Sequence, residues 1–305
     1  MKVSVIIPIY NRKEYTKKCL ESIFAFGSKY AYELIVVDNA SSDGSGEYLN
    51  GLKDKIISIH NVENKGFAKA CNQGAKVANG EYLLFLNNDT IVTEHWVDVL
   101  IEELDIDPDV AIAGNKLLFP DETIQHAGVV FSKDKIPYHI HYREIKEKPY
   151  VNKKRAFQAV TAACMIIRKN IFDKVGGFNE EYLNGYEDVD LCLKVRSCDK
   201  GIMYCPDSVV YHYESISEGR DDKYKENLEL FLKKWANKII PDDYVYLKED
   251  GTLNQTEIIK LQEDLIQHLI QENNQKDQEI GFMKSSKFWK LREKYHIIKN
   301  KLKTR

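Results

Sequence analysis

Four short apolar segments in the first part of the chain alternate with longer segments that have helical hydrophobic spacing. The apolar segments are rich in Val, Ile, Leu and Phe and cover residues 3–7, 33–37, 56–60 and 82–86. Near-continuous apolar runs of this length are typical of strands that are buried on both faces of a parallel sheet. The helix-like segments cover residues 11–26, 45–52, 66–78 and 95–104. This alternation predicts βαβ units and an α/β fold with a mostly parallel sheet flanked by helices.

Polar side chains follow each predicted strand. Tyr10 and Asn11 come after the first strand, Asp38 after the second, Asn64 beyond the third and Asp89 after the fourth. In sheets of this kind, ligands bind outside the carboxyl ends of the strands. The same residue types also form turns, which is the alternative interpretation. The pattern predicts a ligand site at this edge of the sheet.

The pattern is weaker beyond residue 110. The predicted elements are a strand or buried helix at 160–167, helices at 188–195 and 221–237, and a strand at 209–213. From about residue 242 the chain is polar and helix-prone, which predicts a helical extension over residues 241–305. The extension has a short apolar stripe, too short to establish a coiled coil, at Ile258, Leu261, Leu265 and Leu269.

Composition is that of an ordinary globular protein. The chain has 305 residues, of which 43% are hydrophobic, and its formal net charge is −3, so the overall balance does not indicate a nucleic-acid binder. The six cysteines form no CxxC pair, which predicts free thiols in a reducing compartment. We interpret residues 3–10 as a strand and not as a signal peptide, and no apolar run is long enough to span a membrane.

Charge is unevenly distributed along the chain. Residues 284–305 carry nine Lys or Arg residues and one acid, a net charge of +8, which leaves 35 basic and 46 acidic residues in the rest. Aromatic and aliphatic side chains, among them Phe288, Trp289 and Tyr295, lie between these basic residues. Such a segment predicts an interfacial helix on an anionic membrane surface. A solvated helix that caps a partner domain is the alternative.

Five segments in sequence order carry a family resemblance. They are VSVIIPIYN at 3–11, VVDNASSDG at 36–44, NKGF at 64–67, GEYLLFLNND at 80–89 and GYEDVDLC at 185–192. As a set they resemble the family 2 glycosyltransferases, over about residues 1–215. The resemblance implies a GT-A fold and an enzyme that transfers a sugar from a nucleoside diphosphate with inversion at the anomeric carbon. Residues 1–240 would form this domain, with a nucleotide-binding half (1–110) and an acceptor half (111–240).

The resemblance also implies a nucleotide site. Asp38 would accept a hydrogen bond from the N3–H of uracil or thymine, as a carboxylate can, although Asp38 also suits the start of an Asx-turn. The segment that opens the third predicted helix would present free N–H groups and a positive dipole end to the nucleotide, and a plain helix start is the alternative. The implied nucleotide-binding residues are Pro8, Tyr10, Asp38, Asn64, Gly66, Phe67, Asn87 and Asn88.

A divalent cation is the expected cofactor. The diphosphate leaving group gains negative charge as its bond to the sugar breaks. A Mn²⁺ or Mg²⁺ ion held by a carboxylate usually stabilises this charge. Where the family has Asp-x-Asp, this chain has Asn87-Asn88-Asp89, so Asp89 is the predicted ligand and Asn87 would bond the ribose. The alternative for Asp89 is a helix N-cap. By resemblance His212 is a second ligand, and a structural histidine is the alternative.

The acidic cluster near residue 188 supplies the predicted catalytic group. An inverting transfer needs one base to take the proton of the acceptor hydroxyl, and by resemblance that base is Asp188. Glu187 and Gly177 are the predicted acceptor-binding residues, and Asp190 is expected to have a structural role. The alternative for the cluster is a solvated acidic first turn of a helix. No role is predicted for His126, His139 and His141.

Two other functional classes stay open. A sugar nucleotidyltransferase would need a Gly-rich phosphate-binding loop near the N-terminus, where this chain has PIYNR at 8–12. A non-catalytic binding or scaffold subunit has Asn87 as its support.

The expected partners are a nucleoside diphosphate sugar and a glycan or lipid-linked glycan acceptor in polysaccharide biosynthesis. The motifs are most similar to the rhamnosyltransferase branch, which makes dTDP-rhamnose a candidate donor beside the UDP-hexoses. We expect a cytoplasmic protein that could lie on the inner face of the cell membrane through residues 284–305 and could form homo-oligomers.

Overall fold

The four apolar segments of the first part form neighbouring strands in the computed structural model, which describes residues 1–213 and 223–253 and, beyond these, positions 270, 274, 276, 278 and 280. The strands are β1 (Val3–Ile9), β2 (Tyr32–Asp38), β3 (Ile57–His60) and β4 (Tyr82–Leu86). β1 pairs in parallel with β2 and with β4, and β2 pairs in parallel with β3. β1 and β4 are buried along their whole length, which explains why their sequences are apolar without alternation.

The four predicted helices are present with shifted ends. They are α1 (Lys13–Phe26), α2 (Ser45–Asn50), α3 (Phe67–Val77) and α4 (Asp98–Ile106). α1 begins two residues later than predicted because Asn11 and Arg12 both have left-handed backbone angles, with φ of 57° and 63°. The left-handed His95 likewise delays α4.

Beyond residue 86 the elements are shorter and more varied. They are β5 (Thr90–Val92), β6 (Val110–Leu118), β7 (Ile124–His126), β8 (Val129–Phe131), β9 (Pro137–His139), a 3₁₀ helix (Pro149–Asn152), β10 (Arg155–Ala156), β11 (Cys164–Arg168), α5 (Lys169–Lys174), α6 (Glu187–Arg196), β12 (Gly201–His212), α7 (Tyr224–Trp235) and α8 (Asp243–Glu249).

The open alternative at 160–167 is settled in favour of a strand, because this segment overlaps β11. The strand predicted at 209–213 corresponds to the end of the longer β12. The predicted helices at 188–195 and 221–237 correspond to α6 and α7. The sequence analysis missed β6, although all nine of its residues are buried.

The strand order of the main sheet is β10-β12-β6-β11-β4-β1-β2-β3. β11 runs antiparallel to both of its neighbours, and β10 runs antiparallel to β12. The other six strands of this path point in one direction, which confirms the predicted mostly parallel sheet. Their carboxyl ends therefore meet at one edge.

Apolar side chains pack on both faces of the sheet. Ile6 of β1 belongs to the cluster under α3, α5, α6 and α7, whereas its neighbours Val5 and Ile7 belong to the cluster under α1 and α4. Burial of each such side chain contributes roughly 1.5–3 kcal/mol. All six cysteines are free, and burial raises the pKa of Cys19 and of Cys205 to about 12.

Internal contacts divide the chain into two units, Met1–Tyr244 and Val245–Arg305. The predicted domain boundary at residue 240 stays a prediction. The apolar stripe at 258–269 and the basic segment 284–305 lie outside the described residues. Within the described part of the chain, no helix is both long and apolar enough to cross a bilayer.

α3 approaches β1 closely enough that one position requires glycine. A Cβ on Gly74 would lie 2.5 Å from Ile6 Cγ2, while Val37 Cγ2 would be 3.4 Å away. A Gly-to-Ala change inside a helix gains about 0.5–1 kcal/mol from backbone entropy. Overpacking of a dense core costs about 1–3 kcal/mol, so the clash is the larger effect.

We expect Gly74→Ala to lower the free energy of unfolding by about 1–2 kcal/mol, measured by urea denaturation. The matched control is Lys76→Ala on the exposed side of the same helix. A Gly74→Ala protein as stable as the wild type would show that α3 can move away from β1 without cost.

Candidate active site

A cleft of about 500 Å³ lies at the edge of the sheet where β1, β4 and β12 end. Its walls come from both parts of the chain. The predicted site residues that line it are Pro8, Tyr10, Asn64, Gly66, Phe67, Asn87, Asn88, Asp89, Glu187, Asp188 and His212. Two predicted site residues, Asp38 and Gly177, do not line this cleft.

Asp89 and His212 face each other in the cleft. β5 pairs antiparallel with the end of β12, so that Thr90 lies opposite His212, and the Tyr213 N–H donates to the Asp89 carbonyl at 3.0 Å. This pairing places Asp89 Oδ1 3.0 Å from His212 Nε2. Because Thr90 begins a strand, the helix N-cap interpretation of Asp89 is wrong.

The neighbours of the pair orient its ring. Asn87 Nδ2 lies 3.2 Å from His212 Nε2, and Gln125 Oε1 lies 2.6 Å from His212 Nδ1. The carboxylate of Asp89 and the imidazole of His212 are both ligands that Mn²⁺ and Mg²⁺-type sites accept. Among the described residues no group of three or more His, Cys, Asp and Glu could hold a metal alone. A cation here would take its remaining ligands from bound phosphate or water, as Mg²⁺ usually does.

The amino terminus of α3 opens into the same cleft. Asn64 Oδ1 accepts from the Gly66 N–H at 2.9 Å, and Gly66 has φ +81° with open space where a Cβ would lie. Phe67 begins α3 and packs edge-on against Phe178, with ring centroids 5.7 Å apart. The first N–H groups of α3 thus lie beside the cleft, where they can bind an anion.

Asn88 and Asp38 are engaged with neighbouring parts of the protein. Asn88 Nδ2 donates to Thr16 Oγ1 at 2.8 Å. Asp38 is buried, with Oδ1 accepting from the Ser41 N–H at 2.9 Å and Oδ2 3.3 Å from His60 Nδ1. The turn interpretation of Asp38 therefore describes contacts that are present, and its role in binding a base stays a prediction.

The carboxylates of α6 point in different directions. Asp188 is half-buried beside the cleft, with Oδ2 accepting from the Ala162 N–H at 3.1 Å and Oδ1 from the Val189 N–H at 2.8 Å. Glu187 Oε2 accepts from the Gly185 N–H at 2.5 Å, and its side chain is 7% exposed.

Asp190 lies away from the cleft and is fully buried. Its Oδ1 accepts from Lys234 Nζ at 2.6 Å and from Trp235 Nε1 at 2.8 Å, and its Oδ2 is 3.3 Å from Lys194 Nζ. Burial lowers the pKa of Lys194, while the Asp190 charge acts in the opposite direction. The interpretation of the cluster as a solvated first turn is wrong, because Glu187 and Asp190 are both buried.

Gly177 belongs to a turn behind the cleft wall. Its φ is +67°, and a Cβ there would lie 2.7 Å from Asn72 Oδ1, which accepts from the Phe178 N–H. The Gly177 carbonyl accepts from Lys194 Nζ at 2.9 Å. These contacts explain the glycine by packing against α3, and acceptor binding by Gly177 stays a prediction.

Several cleft residues were missed by the sequence analysis. They come from β7, β9, α7 and the turn before α6, and they include Gln125, Tyr138, His139, Tyr186 and Tyr224. The strands β7 and β9 have three residues each, too few for a hydrophobic period. The one available indication was the high density of aromatic and His residues between 124 and 142.

Comparisons with known proteins identify the family of the chain. The sequence model described as "Glycosyl transferase family 2" matches residues 4–176. The O-antigen biosynthesis protein RfbC of Myxococcus xanthus is 31% identical over 229 residues, which are 72% of this chain and 18% of that protein. The chain spans less than a third of the length of the first curated relatives it matches.

Two solved structures share the fold. GalNAc-T7 with UDP, GalNAc and Mn²⁺ has a TM-score of 0.61 at 16% identity, covering 87% of this chain and 54% of that chain. The mannosyltransferase PcManGT of Pyrobaculum calidifontis, in complex with GDP-Man and Mn²⁺, has a TM-score of 0.57 at 17% identity, covering 82% of this chain and 69% of that chain. These likenesses confirm the predicted GT-A fold.

His126 is buried near the cleft, next to Gln125 in the chain. Among the described residues, neither of its ring nitrogens has a hydrogen-bond partner. Its ring packs edge-on against His139, which lines the cleft, with centroids 4.8 Å apart. Burial, and secondly the nearby His139, lower the pKa of His126 well below its usual range.

We expect this buried imidazole to make stability depend on pH. The unfolded chain takes up a proton at His126 below about pH 6.5 and the folded chain does not. The free energy of unfolding therefore falls by about 1.4 kcal/mol per pH unit from this group as the pH drops below 6.5. Urea denaturation between pH 7.5 and 5 should show that His126→Leu removes this part of the slope. Exposed His95, changed to Asn, is the control, and an unchanged slope in His126→Leu would contradict the assignment.

Proposed function

The chain belongs to glycosyl transferase family 2, and from that membership we propose that it transfers a sugar from a nucleoside diphosphate sugar to a hydroxyl of a glycan acceptor, with inversion. One observation carries the proposal. The Asp89–His212 pair and Asp188 open into the same cleft of about 500 Å³. A cation that assists departure of the diphosphate and a base that takes the acceptor proton could therefore act on the same donor and acceptor. A cleft of this volume is in the range of small-molecule sites.

Asp89 and His212 would hold a divalent cation. Its Lewis acidity would offset the negative charge that develops on the diphosphate as the sugar leaves. The donor set fits, because a carboxylate oxygen and an imidazole nitrogen converge at 3.0 Å. Mn²⁺ is present in the structures of both fold neighbours, which supports this assignment.

The nucleotide would lie across the ends of β1 and β4. Pro8 and the half-exposed Tyr10 would flank the base, and the amino terminus of α3 would attract the phosphates. Reading of the base by Asp38, which is buried beside the cleft and does not line it, stays a prediction. Asn87 would bond the ribose. The remaining proposed nucleotide contacts are Asn64, Gly66, Phe67 and Asn88.

Asp188 would act as the general base. The acceptor oxygen bonds to the anomeric carbon as the bond from that carbon to the phosphate oxygen breaks, and the hydroxyl proton passes to Asp188. The nucleoside diphosphate leaves with the bonding electron pair. Both Asp188 oxygens already accept an N–H, which fixes the carboxylate and leaves lone pairs for the proton.

The acceptor would occupy the wall formed by β9, α6 and α7. Tyr138, Tyr186 and Tyr224 line this wall beside Glu187, and Tyr186 and Tyr224 have ring centroids 6.0 Å apart. Aromatic faces with polar edges suit a sugar, which has apolar faces and hydroxyl edges. This composition supports a carbohydrate acceptor.

The donor is proposed as dTDP-rhamnose or a UDP-hexose. The fold neighbours carry UDP in one case and GDP-Man in the other, so the fold accommodates different bases. Small differences in pocket shape are worth only about 1–3 kcal/mol. The name of RfbC supports a place in polysaccharide biosynthesis. Contact of residues 284–305 with an anionic membrane on the cytoplasmic side stays a proposal.

Thermal unfolding with UDP, dTDP, GDP or CMP, each with and without Mn²⁺, tests the nucleotide site. We expect at least one diphosphate to stabilise the protein only with Mn²⁺, by about 2.7 kcal/mol at 100 times its Kd. That corresponds to a rise of roughly 5–10 °C in the midpoint. Asp89→Ala should abolish the rise, and Asp173→Ala, an exposed surface acid, should keep it. No shift with any nucleotide would contradict the proposal.

Asp188→Asn tests the base. The amide keeps the size of the side chain but cannot take the proton, so we expect kcat to fall by about 10²–10⁴-fold. Nucleotide-dependent stabilisation should persist, because Asp188 is not proposed to hold the nucleotide. Nucleoside diphosphate release is the measurement, and Asp173→Asn is the control. Unchanged turnover would remove Asp188 from the mechanism, and absence of turnover in the wild type would favour a binding subunit.

A further inference from the structure

An irregularity in the sheet sets the direction of the Gln125 side chain. β7 pairs with β6 through Leu117 opposite His126 and Leu118 opposite Ile124. Gln125 is therefore the extra residue of a β-bulge. Bulges are common beside active sites, where they turn a side chain in a direction that regular pairing does not allow. Gln125 is 1% exposed, and its side chain reaches His212 at the end of β12.

The orientation of the Gln125 amide follows from its two contacts with His212. Its Nε2 donates to the His212 carbonyl oxygen at 3.4 Å, and a carbonyl oxygen can only accept. The amide oxygen must then be the atom 2.6 Å from His212 Nδ1. An amide oxygen also only accepts, so Nδ1 carries the proton. The lone pair of the neutral ring is left on Nε2, which Asn87 Nδ2 and Asp89 Oδ1 face.

The competing tautomer would disable the pair. With its proton on Nε2, the ring would donate to Asp89 Oδ1, which is only 3.0 Å away. Asp89 Oδ1 and His212 Nε2, the two atoms that are suited to bind a cation, would then be joined to each other by a hydrogen bond. Nothing in the Asp89–His212 contact prevents this arrangement. The shorter contact, between Gln125 Oε1 and Nδ1 at 2.6 Å, is the main one that disfavours it, and the longer contact of Asn87 Nδ2 with Nε2 acts in the same direction.

We propose that Gln125 is a positioning residue that holds the His212 proton on Nδ1 and so keeps Nε2 available as a ligand for the divalent cation. This inference rests on the proposed function of the cleft. Gln125 also serves the opposite wall, because its carbonyl oxygen lies 2.9 Å from His139 Nδ1. That second contact is made by the main chain, so side-chain substitutions at 125 leave its partner atom in place.

Mn²⁺ affinity, measured by the EPR signal of free Mn²⁺ with the best of the four nucleotides above, is the first test. Partners of this kind typically change metal affinity by about 10–100-fold, and we expect that loss in Gln125→Leu. Gln125→Glu keeps an acceptor for Nδ1 and should lose less than about tenfold in Mn²⁺ affinity. Gln158→Leu is the matched control, because Gln158 is also buried but contacts Ile240 and Asp242. Equal affinity of Gln125→Leu and wild type would overturn the proposal.

The tautomer itself is the second test and needs neither metal nor turnover. ¹⁵N NMR of the His ring nitrogens at alkaline pH, assigned by the loss of signals in His212→Asn, should show Nδ1 protonated in the wild type. In Gln125→Leu the proton should move to Nε2. A wild-type protein with the His212 proton on Nε2 would overturn the proposal, whether or not the protein is found to transfer a sugar. Wild-type protein that has the expected tautomer but binds no Mn²⁺–nucleotide would instead contradict the proposed function.

Discussion

The short antiparallel pairing of β5 with the end of β12 is the contact on which the cleft depends. It sets Thr90 opposite His212 and lets the Tyr213 N–H bond the Asp89 carbonyl. Without it, nothing in the sequence would bring Asp89, at the end of a buried strand, next to His212, since the two residues are 123 positions apart in the chain. Three pairs of strand residues thus join β5, directly after Asp89 in the first half, to β12, the last strand of the second half.

A second constraint separates the acids of α6. Successive residues of a helix point in different directions, so the first turn divides its carboxylates between two environments. Asp190 is held by Lys234 and Trp235 of α7 and by Lys194, and removing one partner of a buried pair of this kind typically costs about 3–5 kcal/mol. This anchor fixes the rotation of α6 about its axis. Asp188 consequently has to face the cleft, where two backbone N–H groups hold its carboxylate.

The features that could be predicted from the sequence are those that depend on residues close together in the chain. The strands and helices of the first half, and the polar residues at their ends, were predictable because each βα unit is encoded by contiguous residues. The late start of α1 was not, because two consecutive left-handed residues, Asn11 and Arg12, leave no mark in the hydrophobic pattern. β6 was missed because its polar Asn115 and Lys116 interrupt an otherwise apolar run, although both are buried.

The wall of the cleft that comes from the second half could not be predicted for a related physical reason. Gln125 reaches His212 only because a bulge adds one residue to β7, and a register shift is set by pairing with a distant strand, not by local propensity. Tyr138 and Tyr224 likewise meet the same cleft from segments far apart in the chain. The cleft residues at the ends of β1 and β4 are therefore encoded by local motifs, while the surroundings of His212 and the wall formed by β7, β9 and α7 depend on long-range packing. Substitutions in β7 and β9 can therefore change this wall of the cleft while the five segments that carry the family resemblance, including GYEDVDLC at 185–192, stay unchanged.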